Sequence, residues 1–267
     1  GGANVTIQGK VYELPKNERG KNNLHSSPDG YDRMVWNYQV DEEHLSVRFY
    51  RMSPDLEQGY PGNFEISVTY TLTEENEVQI HYHGVSDKDT VANMTNHTYF
   101  NLSGHQNGTI LNHEVWIDAD AFTAIDEESI PTGEICQVKG TPFDFRKQKR
   151  VGDEIDADHK QLILAGGYDH NFVLNKEKGE LKKIAEVFDP ESKRKMEVST
   201  TCVGVQFYTG NFITEGVQGK EGAIYHKRSG LCLETQFFPD AVHHENFPSP
   251  ILKAGEPYDS VTIYKFI

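Results

Sequence analysis

Four side chains capable of acid, base or hydrogen-bonding chemistry stand inside apolar or aromatic sequence, where a solvated surface role is hard to sustain. Glu234 lies in Gly230-Leu231-Cys232-Leu233-Glu234-Thr235-Gln236-Phe237-Phe238, on the strand face shared with Cys232. His97 lies in Thr95-Asn96-His97-Thr98-Tyr99-Phe100-Asn101-Leu102, Asp169 in Gly167-Tyr168-Asp169-His170-Asn171-Phe172, and Gln206 interrupts the run Val203 to Phe207. A carboxylate in such a segment needs partners, or desolvation raises its pKa. Taken singly, each of these groups reads as a structural hydrogen-bonding residue. Taken together, with 13 Tyr, 14 Phe and 2 Trp in the chain, they point to a polyhydroxylated ligand. Its hydroxyls need paired donors and acceptors, and its apolar faces stack on rings.

Other chemistries lack their residues. The chain has no G-x-S-x-G elbow, no phosphate-binding P-loop and no G-x-G-x-x-G after a strand, which removes the usual signatures of acyl transfer, nucleotide hydrolysis and dinucleotide binding. Twelve histidines include no H-E-x-x-H, and His81 and His83 fall on the strand face opposite Val78, Ile80 and Tyr82, as solvated residues would. No metal and no cofactor is expected. Cys136, Cys202 and Cys232 are widely spaced and odd in number, so they form neither a disulfide framework nor a C-x-x-C motif. They read as small buried apolar residues in a reducing, cytoplasmic compartment. Of five N-x-[ST] sequons, at Asn4, Asn93, Asn96, Asn101 and Asn107, three, Asn93, Asn96 and Asn101, crowd a single apolar segment where glycans would collide, and all five read as chance. Forty-one acidic against 26 basic residues give −15, which argues against nucleic acid and anionic membrane surfaces as partners. No apolar run approaches the length of a transmembrane helix.

The elements that must position these groups are strands. Apolar residues recur with period two at Leu45, Val47 and Phe49, at Phe64, Ile66, Val68, Tyr70 and Leu72, and at Val78, Ile80 and Tyr82 after a Glu74-Glu75-Asn76 turn. This predicts an antiparallel meander with one buried face. The habit repeats at Val115 and Ile117, from Ile184 to Phe188 and back through Met196 and Val198, at Val203 to Phe207, at Leu231 and Leu233, and from Val261 to Phe266. Only Val151 to Leu164 has helical spacing, and it is short. An all-β fold, a large antiparallel β-sandwich, follows. No linker, low-complexity tract or repeat divides residues 1–267, so a single domain is expected. Polar connections at Pro15 to Asp32, Asp118 to Pro142 and Phe237 to Pro257 lack strand periodicity, and the site is expected among them.

Five motifs in this order carry a resemblance: Asn22-Asn23-Leu24-His25, the His97 segment, the Asp169 segment, Gly204-Val205-Gln206-Phe207-Tyr208-Thr209-Gly210-Asn211, and Leu231-Cys232-Leu233-Glu234-Thr235-Gln236. From about Gly9 to the C-terminus the chain resembles the galactose mutarotase (aldose 1-epimerase) family. The resemblance implies a large antiparallel β-sandwich that interconverts α and β anomers of a hexose, galactose or glucose, without cofactor or metal. By position Glu234 resembles the family's general base and His97 its general acid. His25, Asp169 and Gln206 match residues that hold the sugar, and Tyr99 lies in the same motif as the acid. Two departures stand out. The family's Ala-Asn-Arg segment has no counterpart at Asn4-Val5, which leads to the expectation that the Arg and the first strands lie upstream of Gly1. Ser26-Ser27 stands where a Gly-Gly pair commonly follows the histidine.

Anomer exchange needs a base for the anomeric hydroxyl and an acid for the ring oxygen, and a Glu and a His can supply both near neutrality. The expected partner is a monosaccharide, and the expected state is a monomer or homodimer. Two alternatives stay open on sequence alone: a non-catalytic sugar-binding or regulatory relative, and a mutarotase for a hexose phosphate or disaccharide. Retention of both Glu234 and His97 argues against the first, and the lack of clustered Arg or Lys near the motifs argues against a phosphate. Glycoside hydrolysis would require a second carboxylate facing Glu234, for which Asp169 is the one obvious candidate.

Overall fold

The computed structural model describes residues 1–26 and 29–267; Ser27, half of the Ser26-Ser27 pair, lies outside the described residues. In chain order the strands begin with β1 (Asn4–Ile7), β2 (Lys10–Glu13), β3 (Asn37–Asp41), β4 (Ser46–Ser53), β5 (Phe64–Leu72), β6 (Glu77–Ser86) and β7 (Thr90–Val91). There follow β8 (Glu114–Ile117), β9 (Ala119–Ile125), β10 (Pro131–Gln137), β11 (Lys149–Arg150), a single α-helix among the described residues, α1 (Lys160–Ala165), then β12 (Asp169–Leu174), β13 (Lys182–Phe188) and β14 (Lys195–Thr200). The last are β15 (Gly204–Tyr208), β16 (Val217–Gln218), β17 (Ile224–Tyr225), β18 (Cys232–Gln236), β19 (Ile251–Leu252) and β20 (Pro257–Phe266). The fold is all-β and antiparallel, as the period-two pattern predicts. The chain forms two compact units, residues 1–94 with 240–261, and residues 95–239 with 262–267.

In the first unit β3, β4, β5 and β6 form the expected meander, and β20 begins beside β6. Ile80 and Tyr82 are buried while His81 and His83 point outward, as their alternation requires. Both imidazoles reach the carboxylate of Asp259, at 2.9 and 3.3 Å. The Glu74-Glu75-Asn76 turn is closed by Asn76 at a φ of 61°, a conformation asparagine tolerates better than most residues.

The second unit is a sandwich of two sheets. One runs in the order β10-β9-β12-β15-β18; the other runs β11-β8-β13-β14 and ends on residues 262–266 of β20, with Met196 opposite Phe266 and Thr200 opposite Thr262. Between them lies an aromatic core. Phe122, Phe143, Phe145, Tyr168, Phe172 and Phe207 are all at most 1% exposed, with Phe122 stacked on Phe143 at 4.1 Å and Phe145 edge-on to Phe207 at 5.4 Å. Such offset and edge contacts add to the burial of rings that are already the largest apolar groups available. The strands β9 and β10 differ from the sequence expectation, which placed a connection there. In β9 only Asp120 is exposed among seven residues, so no alternation marks it, and its alanines carry little strand preference. Cys232 is buried as expected, whereas Cys136 and Cys202 are partly exposed.

Candidate functional site

The second unit brings five of the six proposed site residues onto one face of three adjacent strands or next to it. Strand β15 is the middle one, and its register sets two rows. Asp169, Tyr208 and Cys232 lie opposite one another across β12, β15 and β18, and Asn171, Gln206 and Glu234 form the next row. Alternation puts both rows on the same face, away from Phe172, Phe207 and Leu233, which turn into the core. The sequence singled out Gln206 as a polar interruption of an apolar run. Its position between two apolar neighbours is what a strand with one core face and one site face demands.

Glu234 is 3% exposed. Burial, reinforced by the nearby Asp169 carboxylate, pushes its pKa up to about 8. Asp169 is raised by burial to about 6, against the opposing pull of Gln206, whose Nε2 donates to Asp169 Oδ1 at 2.8 Å. His97 arrives from the segment before β8. Its Nε2 is 3.6 Å from Glu234 Oε1, and Cys232 Sγ lies 3.3 Å from its Nδ1. Cys232 therefore occupies one ring nitrogen and leaves the other facing the carboxylate. Burial lowers the His97 pKa, partly offset by its own backbone carbonyl. Tyr99 stacks on His97 with ring centroids 5.1 Å apart, and Tyr208 stands edge-on to both, at 6.0 and 6.1 Å. Tyr99 is 49% exposed, so its ring offers a surface on which an apolar sugar face can stack.

His25 belongs to the first unit. It is exposed, with a φ of 54°. Asn17 holds the preceding residue on both sides, accepting from the Leu24 amide at 2.7 Å and donating to its carbonyl at 2.6 Å, while Asn23 donates to the Pro15 carbonyl. Ser26 adopts a φ of 55°, the left-handed conformation that glycine takes without strain, so the departure from a Gly-Gly pair is made at a strained position.

Three residues of this face were not among the proposed site residues. Tyr208 sits two positions after Gln206, and Asn171 two after Asp169, so the period of two would have placed both on the face. Cys232 was noted only as sharing the face of Glu234. Asn171 is 1% exposed, and among the described residues neither of its amide atoms, nor Oε1 of Gln206, has a hydrogen-bond partner. Both residues share the face of Asp169 and Glu234.

An aldose 1-epimerase family model matches residues 1–265. The galactose mutarotase of Mus musculus is 48% identical over 261 residues, covering 98% of this chain and 73% of the mouse protein. The chain belongs to the aldose 1-epimerase family. The aldose 1-epimerase of Escherichia coli K12 is 40% identical over 265 residues, covering 98% of this chain and 75% of its own length. Among solved structures, a galactose 1-epimerase from Lactobacillus acidophilus superposes with a TM-score of 0.85 at 29% identity, over all of this chain and 76% of that one. An aldose epimerase homologue from C. elegans gives 0.88 at 27%, over all of this chain and 78% of its own. Among the described residues of this epimerase-family chain, no helix is long and apolar enough to cross a membrane.

Proposed function

We propose that the chain interconverts the α and β anomers of a free hexose, galactose or glucose, by acid–base opening and reclosure of the ring. The observation that carries this reading is the buried carboxylate of Glu234 beside Nε2 of His97 at 3.6 Å, on a strand face that also bears the Asp169–Gln206 hydrogen bond. Family membership supports it, because relatives of high coverage are named galactose mutarotase and aldose 1-epimerase.

In this reading the Glu234–His97 pair holds one proton near neutrality, which rests on Glu234 in the free protein, where the carboxyl is raised and the imidazole lowered, and passes to His97 once the sugar is bound. With that proton on His97, the carboxylate takes the hydrogen of the anomeric hydroxyl while Nε2–H protonates the ring oxygen. The C1–O5 bond breaks and the open aldehyde turns about C1–C2. Reclosure returns both protons with the roles reversed, and no covalent intermediate forms. Asp169 and Gln206 hold other hydroxyls so that the open chain turns without leaving, and Tyr99 carries an apolar face of the sugar; for His25 the sugar-holding role is the one the family resemblance implies.

The same reading takes residues 1–267 as one mutarotase-like domain, supported by a family match that spans both units. It assigns a monosaccharide partner, a monomer or homodimer, and a cytoplasmic setting, for which three widely spaced cysteines, odd in number, are the support. Polarimetry of freshly dissolved α-galactose and α-glucose tests it. Approach to equilibrium rotation should be faster than in buffer alone, and the acceleration should vanish with Glu234→Gln. A folded wild-type chain that leaves the buffer rate unchanged would refute the activity.

A further inference from the structure

The residues on either side of the proposed base are both fastened from below to β20. Tyr264 and Thr262 lie two apart on that strand, on one face. The Tyr264 hydroxyl donates to the backbone carbonyl of Leu233 at 2.8 Å and accepts from Nδ2 of Asn96 at 3.0 Å. The Thr262 hydroxyl lies 2.5 Å from that of Thr235 and 3.3 Å from that of Thr200. Leu233 and Thr235 bracket Glu234, and Asn96 immediately precedes His97. Tyr264 is 2% exposed, and its ring packs at 5.0 Å against Phe100, a residue of the segment that carries the acid. Antiparallel strands with one site face ordinarily leave the far side to apolar packing. Here a phenol spans it and joins two segments that are 137 residues apart, Asn96 and Leu233 (233 − 96).

We propose that Tyr264 is a positioning residue for the acid–base pair. Its hydroxyl fastens both the strand bearing Glu234 and the segment bearing His97, and so sets the separation of carboxylate and imidazole. The proposal rests on the assignment of those two residues as the reacting groups. Two hydrogen bonds to one buried hydroxyl fix a hinge point that neither segment supplies alone, because Leu233 is held at its backbone and Asn96 at its side chain. The effect on chemistry follows from geometry: displacing a reacting group by about an ångström can cost up to roughly 10² in rate, while contacts to distant hydroxyls persist.

Tyr264→Phe keeps the ring against Phe100 and removes the hydroxyl's hydrogen bonds to Leu233 and Asn96. In the full chain, with galactose as substrate, kcat should fall roughly tenfold and KM change by less than about twofold. The alkaline limb of the pH profile should move to lower pH, because a loosened β18 admits water to Glu234 and relieves its desolvation. A satisfied structural tyrosine would lower thermal stability and move neither kcat nor the limb. Asn96→Ala removes one of the two bonds from a less buried position and should show the same pattern more weakly, so it decides the matter if Tyr264→Phe does not fold by near-ultraviolet circular dichroism. Wild-type kcat and pH limbs in a folded variant, or a rise in KM alone, would overturn the proposal. Glu234→Gln run in parallel separates the levels. If it is inactive while Tyr264→Phe is unchanged, only the positioning role fails; if it retains wild-type turnover, the acid–base assignment fails and takes the positioning role with it.

Discussion

At the scale of single residues, the proposed chemistry turns on where one proton resides. Glu234 is raised to about 8 by burial and by Asp169, and His97 is lowered by burial. As pH climbs through about 8 the pair loses its proton, nothing remains to protonate the ring oxygen, and kcat/KM should fall. As pH drops below the usual histidine range a second proton occupies the base, and kcat/KM should fall again. The expected profile is a bell whose limbs belong to the pair; a profile still rising at pH 9 would contradict it. Glu234→Gln keeps the size of the side chain but cannot take the proton, so turnover at saturating galactose should drop by roughly 10² to 10⁴ with binding largely kept. Asp169→Asn should chiefly raise KM. The same burial has a stability consequence. A carboxyl whose folded pKa lies above its unfolded 4.5 contributes stability below pH 4.5 that is lost as pH rises through about 8, at about 1.4 kcal/mol per pH unit within that window. Glu234→Gln escapes that loss. Scanning calorimetry should therefore find the variant more stable than wild type by several degrees at pH 8, with the gap shrinking toward pH 5.

At the scale of elements, the site is a property of three strands that are neighbours in space and far apart in sequence. The alternation in β15 and β18 shows which side chains share a face, and it places Gln206 and Glu234 opposite the core without any structural information. The adjacency β12-β15-β18 is not encoded in any local pattern, which is why Asn171 and Tyr208 were not recognised as partners of Asp169 and Glu234. The strands β9 and β10 escaped notice for a different reason. Phe122 to Ile125 of β9 are buried on both faces, while β10 buries only Pro131, so neither strand carries an alternation of apolar and polar residues. Tyr264 belongs to a strand that was legible, but its contact with Asn96 and Leu233 depends on how two sheets stack. One glycine tests the packing of the site sheet. A Cβ at Gly204 would come within 2.4 Å of Asn171 Oδ1 and 2.9 Å of the Phe238 ring. Gly204→Ala should therefore overpack this face, costing about 1–3 kcal/mol of stability in a denaturant titration. It should also weaken galactose binding by displacing Asn171. A neutral result would mean that the Asn171 amide is free to move.

At the scale of the whole molecule, the net charge of −15 separates the remaining substrate classes. A free hexose is neutral, so its encounter with the protein feels no long-range field. A hexose phosphate carries negative charge into a molecule that already has an excess of carboxylates, two of them, Asp169 and Glu234, on the proposed site face. Salt at about 0.5 M shortens the screening length from about 30 Å at 0.01 M to a few ångströms. For galactose, kcat/KM should change by less than about twofold across that range, since neither capture nor binding involves a charge on the ligand. Any turnover of galactose 6-phosphate should be weak at low salt and rise with ionic strength as repulsion is screened. The comparison is made by polarimetry at both salt levels with the same enzyme preparation, normalised to thermal stability, because screening also relieves the self-repulsion of an acidic fold. Turnover of the phosphate sugar that exceeds that of galactose and falls with salt would require a cationic site that binds phosphate, and would overturn the assignment of a neutral monosaccharide as substrate.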